Sequence, residues 1–190
     1  MKKVTLDEIM SWNPCEDYDR ERIKKMMGRK KYISIKDVRN VKLDNKEDYL
    51  WFVLRPELIE DEKLHKIAVY AAKSVLPIWE KQYPDDKRPH EAIKAKEMWL
   101  RGKITNEELR AAESAAWIVA WSVASAESVR NAARSVAWSV ARSAESARNA
   151  AWSAARSAES AESAESAAES ARSAAYNKII SYVKRITKEK

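Results

Sequence analysis

The chain has 190 residues, with 36 Lys and Arg against 29 Asp and Glu and a formal charge of +7. Its two glycines, Gly28 and Gly102, exclude a glycine-rich phosphate loop or dinucleotide fingerprint, both of which need several closely spaced glycines; they also argue against an all-β fold, with its many tight turns. Two histidines and one cysteine exclude most all-protein zinc sites and any internal disulfide.

The expected class is all-α. Met1-Lys2-Lys3 runs into Val4-Thr5-Leu6-Asp7-Glu8 and not into an apolar signal core. The apolar stretches, such as Leu50 to Leu54, fall far short of the roughly 18 residues that span a bilayer. With the lone Cys15, which fits a reducing compartment, this predicts a cytoplasmic protein without membrane attachment.

Residues 1–104 read as an N-terminal multi-helix domain that holds all five prolines and both histidines. Thr5-Leu6-Asp7-Glu8 is a capping box, the Thr hydroxyl accepting from the N3 amide while the Glu reaches back. Ser34 and Asp61 are further N-cap candidates. Tyr49 to Leu54 fits a buried strand or a helix, and its setting between Asp44-Asn45-Lys46-Glu47 and Pro56 favours helix. Leu64, Ile67, Ala68, Ala71, Ala72, Val75 and Leu76 recur at helical spacing, a buried stripe expected to end at Pro77.

Residues 105–176 are a different kind of sequence. Between 111 and 176, 25 of 66 positions are Ala and 15 are Ser. Every seventh residue from Ala112 through Val119, Ala126, Ala133 and Val140 to Ala175 is apolar. A companion seam runs from Leu109 through Ala116, Ala151 and Ile179 to Ile186, broken only at Arg130, Glu165 and Arg172. Such a repeat is a coiled-coil signal, with Ala allowing close backbone approach. An 18-residue internal repeat relates Glu127–Ser135 to Glu145–Ser153, a whole number of helical turns. As one helix the array would reach about 108 Å at ~1.5 Å per residue, against a radius of gyration of about 16 Å for a compact chain of this length. It is therefore either a rod in an oligomer or an antiparallel fold-back, with Asn131, Asn149 and Asn177 the residues best suited to a break. Residues 177–190 close the chain as an amphipathic helix.

Two sequence words frame the array: Thr5-Leu6-Asp7-Glu8-Ile9-Met10-Ser11-Trp12-Asn13-Pro14-Cys15, and Ala95-Lys96-Glu97-Met98-Trp99-Leu100-Arg101-Gly102-Lys103-Ile104 leading through Asn106-Glu107-Glu108-Leu109. Together with the Ala/Trp/Arg/Ser array, in the same order, they resemble a family of small phage and prophage immunity proteins. The resemblance implies a non-enzymatic protein of a phage or mobile element, acting against a toxin or defence system. It carries over no catalytic or binding residues.

Trp117, Trp138 and Trp152 are separated by 21 and 14 residues and so share one heptad position beside the Ala seam. They can pack a second helix face. Joined to Arg134, Arg142, Arg148 and Arg156, they can instead bind a nucleotide, with indoles stacking on a base and guanidinium groups pairing with phosphates. His65 and His90 read as packing or surface residues, and Cys15 as a small buried hydrophobe. The basic clusters Lys24-Lys25 and Arg29-Lys30-Lys31 are interleaved with acids and lack a reader motif, so nucleic acid is not the expected partner. No cofactor or metal is expected. The first functional expectation is sequestration of a small anionic, nucleotide-type signalling molecule by an anti-defence homo-oligomer. The others are an immunity protein that blocks a toxin or defence protein by direct contact, and a structural oligomerisation module.

Overall fold

A computed structural model describes residues 1–122, 131, 135, 138–139, 146–160 and 165–188; the side chains of 119–122, 146–148, 160 and 165–168 lie outside the description. In chain order the elements are β1 (Lys3–Val4), α1 (Leu6–Ser11), a 3-10 turn (Glu16–Tyr18), α2 (Arg20–Met27), β2 (Ile33–Ser34), α3 (Ile35–Val38), α4 (Lys46–Val53), α5 (Asp61–Gln82), α6 (Arg88–Leu100), α7 (Asn106–Ser122), α8 (Ser146–Ser160) and α9 (Glu165–Ile186). The class is all-α. A two-residue antiparallel ladder, Val4 opposite Ile33, pins the N-terminus beside α3.

Local chemistry sets the helix starts. Thr5 Oγ1 accepts from the Glu8 amide at 3.2 Å while Glu8 Oε2 accepts from the Thr5 amide at 2.7 Å. The Thr5 amide also holds the Glu8 carboxyl below its ordinary range. Ser34 forms the equivalent box with Asp37, and Asn45 caps α4, which makes Tyr49–Val53 helical as expected. Asp61 is not a cap: it is the first helical residue, and Glu60 takes the extended cap position.

The stripe on α5 does not stop at Pro77. The helix continues to Gln82 with the proline inside it. Losing that N–H and accommodating the ring costs about 3 kcal/mol. Beyond the proline, Trp79 is buried and its indole N–H donates to the Asp86 carbonyl at 3.3 Å. Burial of a side chain of that size offsets the local penalty.

Helix α5 is the hub. One of its faces, with Leu64, Ile67, Ala68 and Ala71, joins the core that also contains Ile9, Leu50 and Val53 from the N-terminal elements. Ala150, Ala151, Ala154 and Ala155 of α8 and Ile179 and Val183 of α9 complete that core. Another face, with Val69, Ala72, Leu76 and Trp79, packs on Ala92 and Ile93 of α6 and on Leu109 and Ala116 of α7.

Both apolar seams of the array are therefore buried, or partly buried at Ala112 and Ala158, wherever their apolar residues are described, but against helices of the same chain. Helices α8 and α9 run antiparallel: Arg172 bonds Glu159 at 3.3 Å, and Tyr176, further along α9, lies in the field of Arg156 on the preceding turn of α8. Trp117 and Trp138 touch, which a single straight helix forbids. The fold-back holds and the rod does not. The expected asparagine breaks are not used, because Asn131, Asn149 and Asn177 are all helical. Among the described residues, Asn13, Gly28 and Gly102 have positive φ. Cys15, two residues after Asn13, is exposed and not buried. No described helix is long and apolar enough to cross a membrane.

Candidate functional site

On α8, Asn149, Trp152, Ser153 and Arg156 stand at i, i+3, i+4 and i+7 and so share one face. The alanines at 150, 151, 154 and 155 form the other face and pack, fully buried, into the main core. The helical residues Asn131, Ser135 and Trp138 repeat the same spacing. Ser135 Oγ donates to the Ala150 carbonyl at 3.0 Å within the buried contact. Small side chains on both sides permit that approach, and it seats Trp138 beside α8.

The result is a cage. Trp117 arrives from α7, where it packs on the α6–α7 core, while Trp138 and Trp152 pack on the main core. The cage thus sits where the two cores meet. The rings of Trp117 and Trp138 meet edge to face, 4.9 Å between centroids at 83°, a geometry worth about 0.5–1.5 kcal/mol beyond the area it buries. The three indoles, with Asn131, Asn149, Ser153 and the exposed Arg156, line a solvent-open cleft of about 330 Å³. No carboxylate lines it among the described residues. The Arg156 charge also reaches Tyr176, whose hydroxyl burial pushes up while Arg172 and Arg156 pull it down.

Of the residues expected to form a site, Trp117, Trp138, Trp152 and Arg156 are brought together. Arg134 and Arg142 lie outside the described residues, and of Arg148 only the backbone, on α8, is described. Asn131 and Asn149, to which the sequence reading gives no ligand role, join Ser153 in the lining. Their signal was the 18-residue repeat, which places Asn131 and Asn149 at equivalent positions.

The histidines lie elsewhere. His65 is buried on α5, edge-on to Trp99 with centroids 5.3 Å apart. Lys96, itself buried, sits 4.1 Å from the Trp99 ring centroid. Burial, reinforced by the Lys96 charge, pushes His65 down to about 4.

Residues 57–182 match the family described as "Imm-5 like putative immunity protein". The chain belongs to this family. The span that matches the family includes all of the cage and the whole of α5 to α8. It leaves out β1 to α4, and with them the Thr5–Cys15 word that carried part of the resemblance. No curated protein and no solved structure matches the chain.

Proposed function

We propose that this family member is a non-enzymatic immunity protein that works by capture, its cage sequestering a small anionic, nucleotide-type signalling molecule. In this reading it serves a phage or mobile element in the cytoplasm of a bacterial host. The observation that carries the reading is the convergence of Trp117, Trp138 and Trp152 from three helical stretches around a cavity lined by Arg156 and no described carboxylate. Indole faces offer stacking surfaces to a base, the guanidinium pairs with phosphate, and the Asn131 and Asn149 amides can both donate to and accept from a base edge. A volume of about 330 Å³ lies at the small end of ligand pockets, which suits one nucleotide unit. The described lining offers no histidine or carboxylate to move a proton, so retention is favoured over turnover.

Direct blockade of a toxin or defence protein is the second reading, and the family's own description favours it. Native mass spectrometry of freshly purified protein, followed by denaturation and analysis of released small molecules, separates the two. Capture predicts extra mass that yields a nucleotide and is lost in Trp138→Ala and Arg156→Ala. A ligand-free mass, with no uptake of mono-, di- or cyclic oligonucleotides by calorimetry, removes the capture reading and leaves the blockade. The same spectrum reads the proposed homo-oligomer, for which Ile118 on α7, 62% exposed, is the expected contact.

A further inference from the structure

Trp152 also lines a second cavity, of about 360 Å³, built from the segments that precede the family span. Ile23 and Met27 of α2, Val38 of α3, and Trp51 and Phe52 of α4 form much of its wall, with Met26, 40% exposed, among the lining residues. Its charged lining is of one sign: Asp37, Glu47 and Asp48, with no Lys, Arg or His among the described residues. That is notable in a chain of net charge +7. Neighbouring cations neutralise only part of it. Lys30 bonds Asp37. Arg172 is shared between Glu47 and a further carboxylate, Glu159. Asp48 accepts from the neutral Asn45 amide at 2.8 Å.

A largely apolar cavity of this size with a few convergent polar groups is the usual form of a small-molecule site. Residual negative charge at an apolar wall favours a ligand that is itself part apolar and part cationic, because the apolar portion leaves water while the cation meets a compensating charge. We propose that this cavity binds a small apolar molecule carrying a positive charge, of the alkylammonium or arylalkylammonium class. It is chemically opposite to the anionic ligand proposed for the cage and does not depend on it.

The test titrates octylammonium, octanol and octanoate into the full chain at pH 7 by calorimetry. Cys15 supplies a second readout: it is the chain's one thiol, exposed and in the cavity lining, so its rate of modification by an aromatic disulfide reports occupancy. The expected result is saturable binding of octylammonium at least about tenfold tighter than of octanoate, with slowed Cys15 modification. Asp48→Asn, which keeps an acceptor for Asn45, shrinks that preference to about threefold or less. Met26→Lys, at an exposed position, abolishes or reverses it. Equal affinity for the two charge types, octanol binding as tightly as octylammonium, no saturable binding, or protection of Cys15 unchanged by both variants would each overturn the proposal.

Discussion

The rings of Tyr70 on α5 and Tyr182 on α9 lie parallel within 6°, their centroids 4.1 Å apart. The pair clamps the last helix to the hub at a partly exposed site, where Arg185 lies over the Tyr182 ring at 5.0 Å. Tyr182→Ala is expected to lower stability by about 1–2 kcal/mol. A double-mutant cycle with Tyr70→Ala, followed by urea unfolding, should return a coupling of about 0.5–1.5 kcal/mol; additive losses would show that the stack contributes only its area.

The alanine face of α8 leaves no room for a larger side chain. Ala150, Ala151, Ala154 and Ala155 are fully buried, so Ala154→Leu must push α8 outward and is expected to cost about 1–3 kcal/mol. A lower thermal midpoint with the helical circular-dichroism signal retained at low temperature would match local overpacking. An unchanged midpoint would contradict the close packing.

His65 makes stability depend on pH in a defined direction. Its folded value, about 4, lies below the ordinary 6.5, so between these values the unfolded chain takes up a proton that the folded chain refuses. Stability therefore falls as pH drops from about 6.5 toward 4 and levels off below, the His65 share totalling about 3 kcal/mol. His65→Phe keeps a ring against Trp99 and removes that share. The check is urea stability at pH 7 and pH 4.5, between which the wild type should lose about 2–3 kcal/mol more than the variant.

Pro77 is an internal cost that α5 carries. Pro77→Ala restores an amide that can bond the Lys73 carbonyl and relieves the ring clash, against a gain in unfolded-chain freedom of about 0.4–1 kcal/mol. The net expectation is a stabilisation of about 1–2 kcal/mol, read as a higher urea midpoint. Destabilisation would mean that Trp79 reaches its buried position only through a proline-bent helix.

What could be read from the residues was what is local. The capping pairs Thr5 with Glu8 and Ser34 with Asp37 act over three residues, so no tertiary information is needed to see them. The seams through Leu109, Ala151, Ala154 and Ile179 were legible as buried positions. Their partner was not, because an alanine surface accepts any small-residue helix and has no shape that distinguishes a second chain from α5. Pro77 misled for the complementary reason: its local penalty is visible in sequence, while the burial of Trp79 that offsets it depends on the tertiary fold. Heptad spacing placed the three indoles along one stripe, and only the fold-back brings them together around one cleft. Asn131 and Asn149 carry polar side chains at repeated positions; reading them as breaks overlooked that a helical asparagine can face a cavity. The second cavity had no sequence signal, since its walls come from separate short segments and from α8.

Trp152 stands in the lining of both cavities, so one indole borders two spaces of opposite electrostatic character. Any ligand that rotates or pins this ring from one side alters the room left on the other. Equilibrium then imposes reciprocity: the factor by which an occupant of the cage changes affinity in the neighbouring cavity is the factor by which an occupant there changes affinity in the cage. Substituting this single side chain would remove the wall through which that exchange runs.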